Sequence, residues 1–181
     1  TTFEEMLKDV KILKDKGITP LAIGEKDSWT GSFLFMNILL RTNGGPGFLQ
    51  DVMEGKKTFE DPAFVEAVDA FQQLVQAGAF PDGATSIDAN AGGNIFKSGK
   101  AAMWVIGSWE TGAVDASSVA GKVGAFQFPT VNGKGDLNEF MLAPGSAFAV
   151  SANSEHLQET KDFLNFFASN LPKKQFELKN A

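Results

Sequence analysis

The sequence predicts an α/β domain, on three observations. Residues 2–16 carry helical periodicity, stop at Gly17 and run directly into the apolar stretch 18–24. Residues 61–78 open on Asp61-Pro62 and close on Gly78, and 101–106 form an apolar run broken at Gly107-Ser108. Helical segments alternating with apolar runs of strand length describe helices layered on a sheet.

Thr2 and Glu5 are spaced as a capping box, each able to satisfy an orphan amide at a helix start, and Phe3, Met6, Leu7, Val10 and Leu13 recur at helical spacing. A helix is therefore predicted over 2–16 and a buried strand over 18–24. Residues 33–40 are apolar nearly all round and predict a buried helix ending before the breaker cluster Asn43-Gly44-Gly45-Pro46-Gly47. Asp61 caps the next helix with proline at its first position, and Phe64, Val65, Val68, Phe71, Leu74 and Val75 are its expected apolar stripe. The glycine-rich residues 78–93 predict a long connection with about one helical turn before Gly99. A strand at 101–106 follows, then a short helix beginning at Trp109-Glu110 with Ser108 as its cap. Strands are expected at 123–128 and 148–151, a last amphipathic helix at 154–169, and a loosely held tail from 172.

The composition bounds what such a domain can do. At 181 residues the chain is long enough to bury roughly 70% of its unfolded surface, and 43% hydrophobic with 21% charged residues is that of a globular protein. The net charge of -6, with sixteen basic residues scattered along the chain, argues against nucleic acid and anionic lipid as partners. The absence of cysteine removes disulfides, thiolate metal sites and cysteine nucleophiles together, and no cofactor or metal site is predicted. No stretch is long and apolar enough to span a membrane, and the chain opens at a helix cap without a signal peptide, so a mature or cropped piece of a longer protein is expected.

Phe96, Gly99-Lys100-Ala101-Ala102-Met103 and Gly107-Ser108-Trp109 resemble the extracellular solute-binding proteins of carbohydrate ABC importers, the maltose-binding-protein-like group. Thr2-Phe3-Glu4-Glu5, residues 16–22, Trp29-Thr30-Gly31-Ser32, Phe59-x-Asp61-Pro62 and Phe148-Ala149-Val150-Ser151 match in the same order. The resemblance implies a type II periplasmic-binding-protein lobe, with helices packed on a central mixed sheet. Residues 1–142 would be the second lobe of a bilobal receptor, and 143–181 the hinge-crossing strand and returning helix, the first lobe being absent. It further implies a receptor that is not an enzyme, is monomeric and extracytoplasmic (periplasmic or lipid-anchored at the cell surface), and delivers a mono- or oligosaccharide to the permease subunits of the importer.

The expected ligand contacts gather around two tryptophans. Trp109, just past a strand end, corresponds to the aromatic on which a sugar stacks in similar receptors, and a rigid indole suits the apolar C–H face of a pyranose. Trp29, in the polar loop after the first strand, matches a second aromatic of the family's cleft, whereas Trp104 inside the apolar run is expected in the core. Gly107 and Ser108 are expected to approach a ligand through the backbone, and Gly145 and Ser146 likewise. Asp27 and Glu110 stand beside the tryptophans as acceptors for sugar hydroxyls, with Asp51, Asp88 and Asn90 as further candidates. His156 is expected to be exposed and silent.

Two other functions compete. A glycoside hydrolase would use paired carboxylates such as Asp27 and Glu110 as acid and nucleophile, although nothing in the sequence marks either as a carboxyl in an apolar pocket. A stand-alone interaction domain would instead expose an apolar patch in place of an aromatic-lined cleft.

Overall fold

The computed structural model describes residues 2–142 and 147–177. Helix α1 (Phe3–Asp15) opens on the expected capping box: the Thr2 amide donates to Glu5 Oε2 (2.8 Å) and the Glu5 amide to Thr2 Oγ1 (3.2 Å). It buries Phe3, Met6 and Val10. Gly17, at φ 70°, takes the left-handed conformation that lets the Ile18 amide reach back to the Leu13 carbonyl (3.0 Å). The chain then enters β1 (Thr19–Ala22) at once.

Helix α2 (Thr30–Thr42) extends beyond the predicted 33–40 at both ends. Glu25 supplies its missing N-terminal cap, accepting from the Gly31 amide and lying 3.0 Å from the Thr30 hydroxyl. Leu34, Ile38, Leu39 and Leu40 are buried. The short α3 (Phe48–Met53) buries Phe48.

Helix α4 (Pro62–Gln76) starts as predicted, with Asp61 Oδ1 accepting from the Ala63 amide (2.9 Å), but only Phe64, Phe71 and Leu74 of its predicted stripe pack inward. Ala67, Ala70 and Leu74 face the core, while Val65, Val68 and Val75 are exposed. Helix α4 packs against α2, and the small alanines are covered while the larger valines are left to solvent. The predicted stripe merged two faces.

Residues 78–99 are more ordered than predicted, with a 3-10 turn at Ala84–Ser86 and a full helix α5 (Ala89–Lys97) capped by Asp88. The glycines that suggested a loop have a packing role. A Cβ on Gly92 would lie 2.4 Å from the Gly24 amide nitrogen, so glycine allows α5 to press against the end of β1. Gly99, at φ 75°, closes α5 as Gly17 closes α1 and starts β2 (Ala101–Trp104).

The two strands pair in parallel, with Leu21 opposite Met103 and Ala22 opposite Trp104. On its other side β1 donates to the segment after the Gly78 turn, the Leu21 amide reaching the Ala79 carbonyl (2.8 Å). Among the described residues the far edge of β2 has no strand beside it and the sheet is parallel throughout. The strands predicted at 123–128 and 148–151 do not form: neither segment pairs with the open edge of β2, and Val123, Phe126 and Phe148 stand exposed. Residues 128–131 instead run buried beside α1, the Phe3 amide donating to the Thr130 carbonyl (2.9 Å).

After β2, a 3-10 turn (Ser108–Glu110) leads into α6 (Thr111–Asp115). Helix α7 (Leu157–Glu177) passes through Pro172, where a loose tail was predicted, and none of its residues is fully buried. No described helix is long and apolar enough to cross a membrane.

Candidate functional site

Past the C-terminal end of β2 the chain turns sharply, and Trp109 stands in that turn with 49% of its surface exposed. Gly107 has ordinary extended backbone (φ -79°, ψ 161°), so its glycine is required by contact and not by conformation. A Cβ there would fall 1.9 to 2.3 Å from three atoms of the six-membered indole ring. Trp109 therefore lies directly against the Gly107 backbone.

A second support comes from α2. The Phe33 ring lies 5.6 Å from the Trp109 ring at 60°, and 5.6 Å from Trp29 at 87°, both edge-to-face arrangements favoured by aromatic quadrupoles. Trp29, Phe33 and Trp109 thus form one chain of rings spanning the α2 start and the β2 turn.

This chain borders an open groove of about 1280 Å³ along the unpaired edge of β2. Trp109, Gly107, Ser108 and Glu110 line it, together with Phe33 and Asn37. Trp29, 38% exposed, stays outside the lining and meets it through its ring contact with Phe33.

The expected polar contacts divide in the same way. Asp27 is engaged elsewhere, its Oδ2 accepting from the Ala89 amide (3.1 Å) at the start of α5, outside the groove. Glu110 lines the groove but its Oε2 meets Lys97 Nζ at 3.2 Å, and that ammonium also lies 5.5 Å from the Trp104 ring. Ser108 does not cap a helix with its hydroxyl; its carbonyl accepts from Thr111 Oγ1 (2.7 Å), and the cap residue of the turn is Gly107. Gly145 and Ser146 lie outside the described residues. Asp51 faces Lys57 at 4.0 Å, Asp88 caps α5, and Asn90 is exposed on that helix. Trp104, expected in the core, is half-buried instead: it packs against Phe96 (5.7 Å) and lines the groove, while its neighbours Met103 and Val105 pack on the core. His156 is exposed. Among the described residues no group of three His, Cys, Asp or Glu could hold a metal ion.

Phe33 and Asn37 were not singled out from the sequence. Their signal was present: Trp29, Phe33, Asn37 and Arg41 recur every four residues and so share one row of α2. Arg41, 1% exposed, ends that row inside the protein. Its Nε and Nη2 donate to the Phe128 carbonyl (3.1 and 2.9 Å) and Nη1 to the Glu139 carbonyl (3.2 Å), fixing the two segments that bring Phe128 and Phe140 to the groove. Burial lowers the Arg41 pKa, and the charges of Glu139 and Asp136 oppose that shift.

The family model for bacterial extracellular solute-binding proteins matches residues 1–171. A solved structure concerned with xylan utilization by the thermophilic bacterium Caldanaerobius polysaccharolyticus is 33% identical, with a TM-score of 0.87 over all of this chain and 47% of that one. A chitin oligosaccharide binding protein is 30% identical, with a TM-score of 0.68 over 74% of this chain and 34% of that one. An uncharacterized ABC transporter extracellular-binding protein of Pyrococcus horikoshii is 25% identical over 93% of this chain and 36% of its own length. The chain thus spans between about a third and a half of these proteins, and the likeness to solved structures carries the α/β lobe fold, type II among binding proteins. With a family match over nearly its whole length and an aromatic groove at a strand end, the chain belongs to the bacterial extracellular solute-binding protein family.

Proposed function

We propose that the chain is the ligand-contacting lobe of a sugar receptor serving an ABC importer, and that a neutral oligosaccharide stacks on Trp109. The observation that carries this reading is the indole itself: half exposed, seated on Gly107, braced by Phe33 and turned to a groove large enough for several sugar units. The names of the related proteins, one a chitin oligosaccharide binder and one tied to xylan utilization, support an oligosaccharide. Membership of an extracellular family sets the protein outside the cytoplasm.

In this reading residues 1–142 form one lobe and 143–181 the crossing segment, with a second lobe closing over the sugar. Closure requires that the ligand bind the closed form more tightly than the open one, so this lobe alone binds weakly. The receptor acts as a monomer and hands its ligand to the importer's permease. Within the lobe Trp109, Gly107, Ser108 and Glu110 make the contacts; Trp29 acts at second hand through Phe33, and Asp27 through the start of α5.

A receptor rather than a hydrolase is favoured by the two carboxylates that would have to work as a pair. Asp27 caps a helix outside the groove, and Glu110 is neutralised by Lys97. Titration with xylo- and chito-oligosaccharides, followed by tryptophan fluorescence and by product analysis, tests both readings. Binding without cleavage is expected, and Trp109→Ala, in a receptor carrying both lobes, should weaken it about 10 to 100-fold, as removal of roughly 1.5 to 3 kcal/mol of buried aromatic contact requires. Unchanged affinity in a folded Trp109→Ala protein would remove that residue from the site, and turnover would replace the receptor with an enzyme.

A further inference from the structure

Asn37 is one turn beyond Phe33 on α2 and lines the same groove. Its Nδ2 donates to the Phe33 carbonyl (2.8 Å), and since a carbonyl can only accept, that bond fixes which way round the amide sits. Oδ1 is left as an acceptor without a hydrogen-bond partner among the described residues, and it is not sealed from solvent. A half-buried amide whose rotation is already restricted costs little further ordering when a ligand binds.

Phe33 stands beside it with its ring against Trp109. Gly107 and Phe33 thus occupy two sides of the indole, and a sugar unit laid on the remaining surface has α2 along one edge. The polar atom nearest in sequence on that wall is Asn37 Oδ1. Glu110, the acidic side chain beside Trp109, already faces Lys97.

We infer that Asn37 Oδ1 accepts a hydrogen bond from a hydroxyl of the sugar unit on Trp109, and that Phe33 and Asn37 together set which sugars the groove takes. This rests on the oligosaccharide reading of the groove and extends it: the ligand unit must offer a hydroxyl donor toward α2, while its opposite face need only be apolar enough to stack. Sites that hydrogen-bond a hydroxyl discriminate against analogues lacking it far more strongly than stacking surfaces do.

The 181-residue chain is titrated with xylotriose and with chitotriose while the Asn37 side-chain amide and the tryptophan indole N–H signals are followed by NMR. Asn37 and Trp109 are expected to shift together with one affinity. Asn37→Ala should weaken that affinity about 2 to 12-fold, the loss of one hydrogen bond. Asn37→Asp separates ligand contact from scaffolding, because it keeps an acceptor oxygen but cannot donate to the Phe33 carbonyl. Retained binding in Asn37→Asp with loss in Asn37→Ala supports the inference. Equal loss in both makes Asn37 a helix brace and overturns it, as does full affinity in Asn37→Ala while Trp109 still responds. If neither Trp109 nor Asn37 shifts with either sugar at saturating concentration, the oligosaccharide reading fails first and this inference with it.

Discussion

Arg41 and Phe33 stand on the same row of α2, two turns or about 12 Å apart, and do opposite work. At the Arg41 end the row is sealed: a fully buried guanidinium holds the carbonyls of Phe128 and Glu139, and Gly135 lies so close that a Cβ there would meet Arg41 Cδ at 2.4 Å. At the Phe33 end the row is open, with rings meeting edge to face and surface left for a ligand. One helix thus serves as a beam, anchored at one end and presenting side chains at the other. The difference teaches that groove shape is set from behind, since the segments held by Arg41 are those that carry Phe128 and Phe140 to the groove.

The sharpest way to break this comparison is Arg41→Met, which keeps much of the side-chain volume but removes every donor. The buried Phe128 carbonyl then loses its partner at roughly 1 to 3 kcal/mol and the partly buried Glu139 carbonyl at less, so a loss of about 2 to 3 kcal/mol is expected, or roughly 4 to 12 °C in thermal midpoint for a chain of this size. Arg41→Lys should recover only part, because a single ammonium cannot reproduce the planar fork that reaches both carbonyls. Thermal and urea unfolding measure both. A fully stable Arg41→Met chain that had lost sugar binding would mean that Arg41 belongs to the site and that the two ends are not distinct.

Much of the beam's setting was legible in the sequence, and the exceptions have physical causes. The capping box at Thr2, the Asp61-Pro62 start and the Gly17 and Gly78 stops are local devices, which depend on residues within one turn and so can be read locally. Helix α5 was read as only about one turn because Gly92 serves contact with Gly24, sixty-eight residues away, and a glycine chosen for approach looks like one chosen for a turn. The strands at 123–128 and 148–151 failed for the complementary reason: strand propensity is realised only by pairing, and neither segment pairs with the open edge of β2. Of the groove lining, Trp109 and Gly107 were legible from their place after an apolar run together with the family resemblance. Phe33 and Asn37 were hidden because a helix apolar nearly all round shows no preferred face until its neighbours are known.

Gly107 tests the open end alone. Alanine is compatible with its backbone angles, so Gly107→Ala should fold normally; its methyl would nevertheless meet the indole and must push Trp109 away from its seat and from Phe33. The edge-to-face contact is worth about 0.5 to 1.5 kcal/mol, so sugar affinity should drop about 2 to 12-fold with little change in unfolding midpoint. The near-ultraviolet circular dichroism of the tryptophans should change in the ligand-free chain. An unaltered tryptophan spectrum would show that Trp109 does not depend on Gly107 for its position.

The smallest expected effect concerns a second fastening of the segment that Arg41 holds. Asn132 and Gly133, both at positive φ (49° and 72°), form the tight turn between Val131 and Lys134, and Glu66 on α4 accepts from Asn132 Nδ2 (2.8 Å) and Lys134 Nζ (2.6 Å). The Lys134 bond first and the Asn132 bond second hold the Glu66 carboxyl below its ordinary pKa, against a weaker opposing effect of burial. A carboxyl depressed in the folded state stabilises fully above its unfolded value near 4.3, and that contribution fades as pH falls through the folded value. Glu66→Gln should therefore cost a few tenths to about 1 kcal/mol at neutral pH, since Lys134 is more than half exposed and the pair is screened. The gap between the two proteins should close on acidification below about pH 4. A gap that persists unchanged from pH 7 to pH 3 would mean that Glu66 acts through shape and not charge, and that the segment is fastened from the Arg41 side alone.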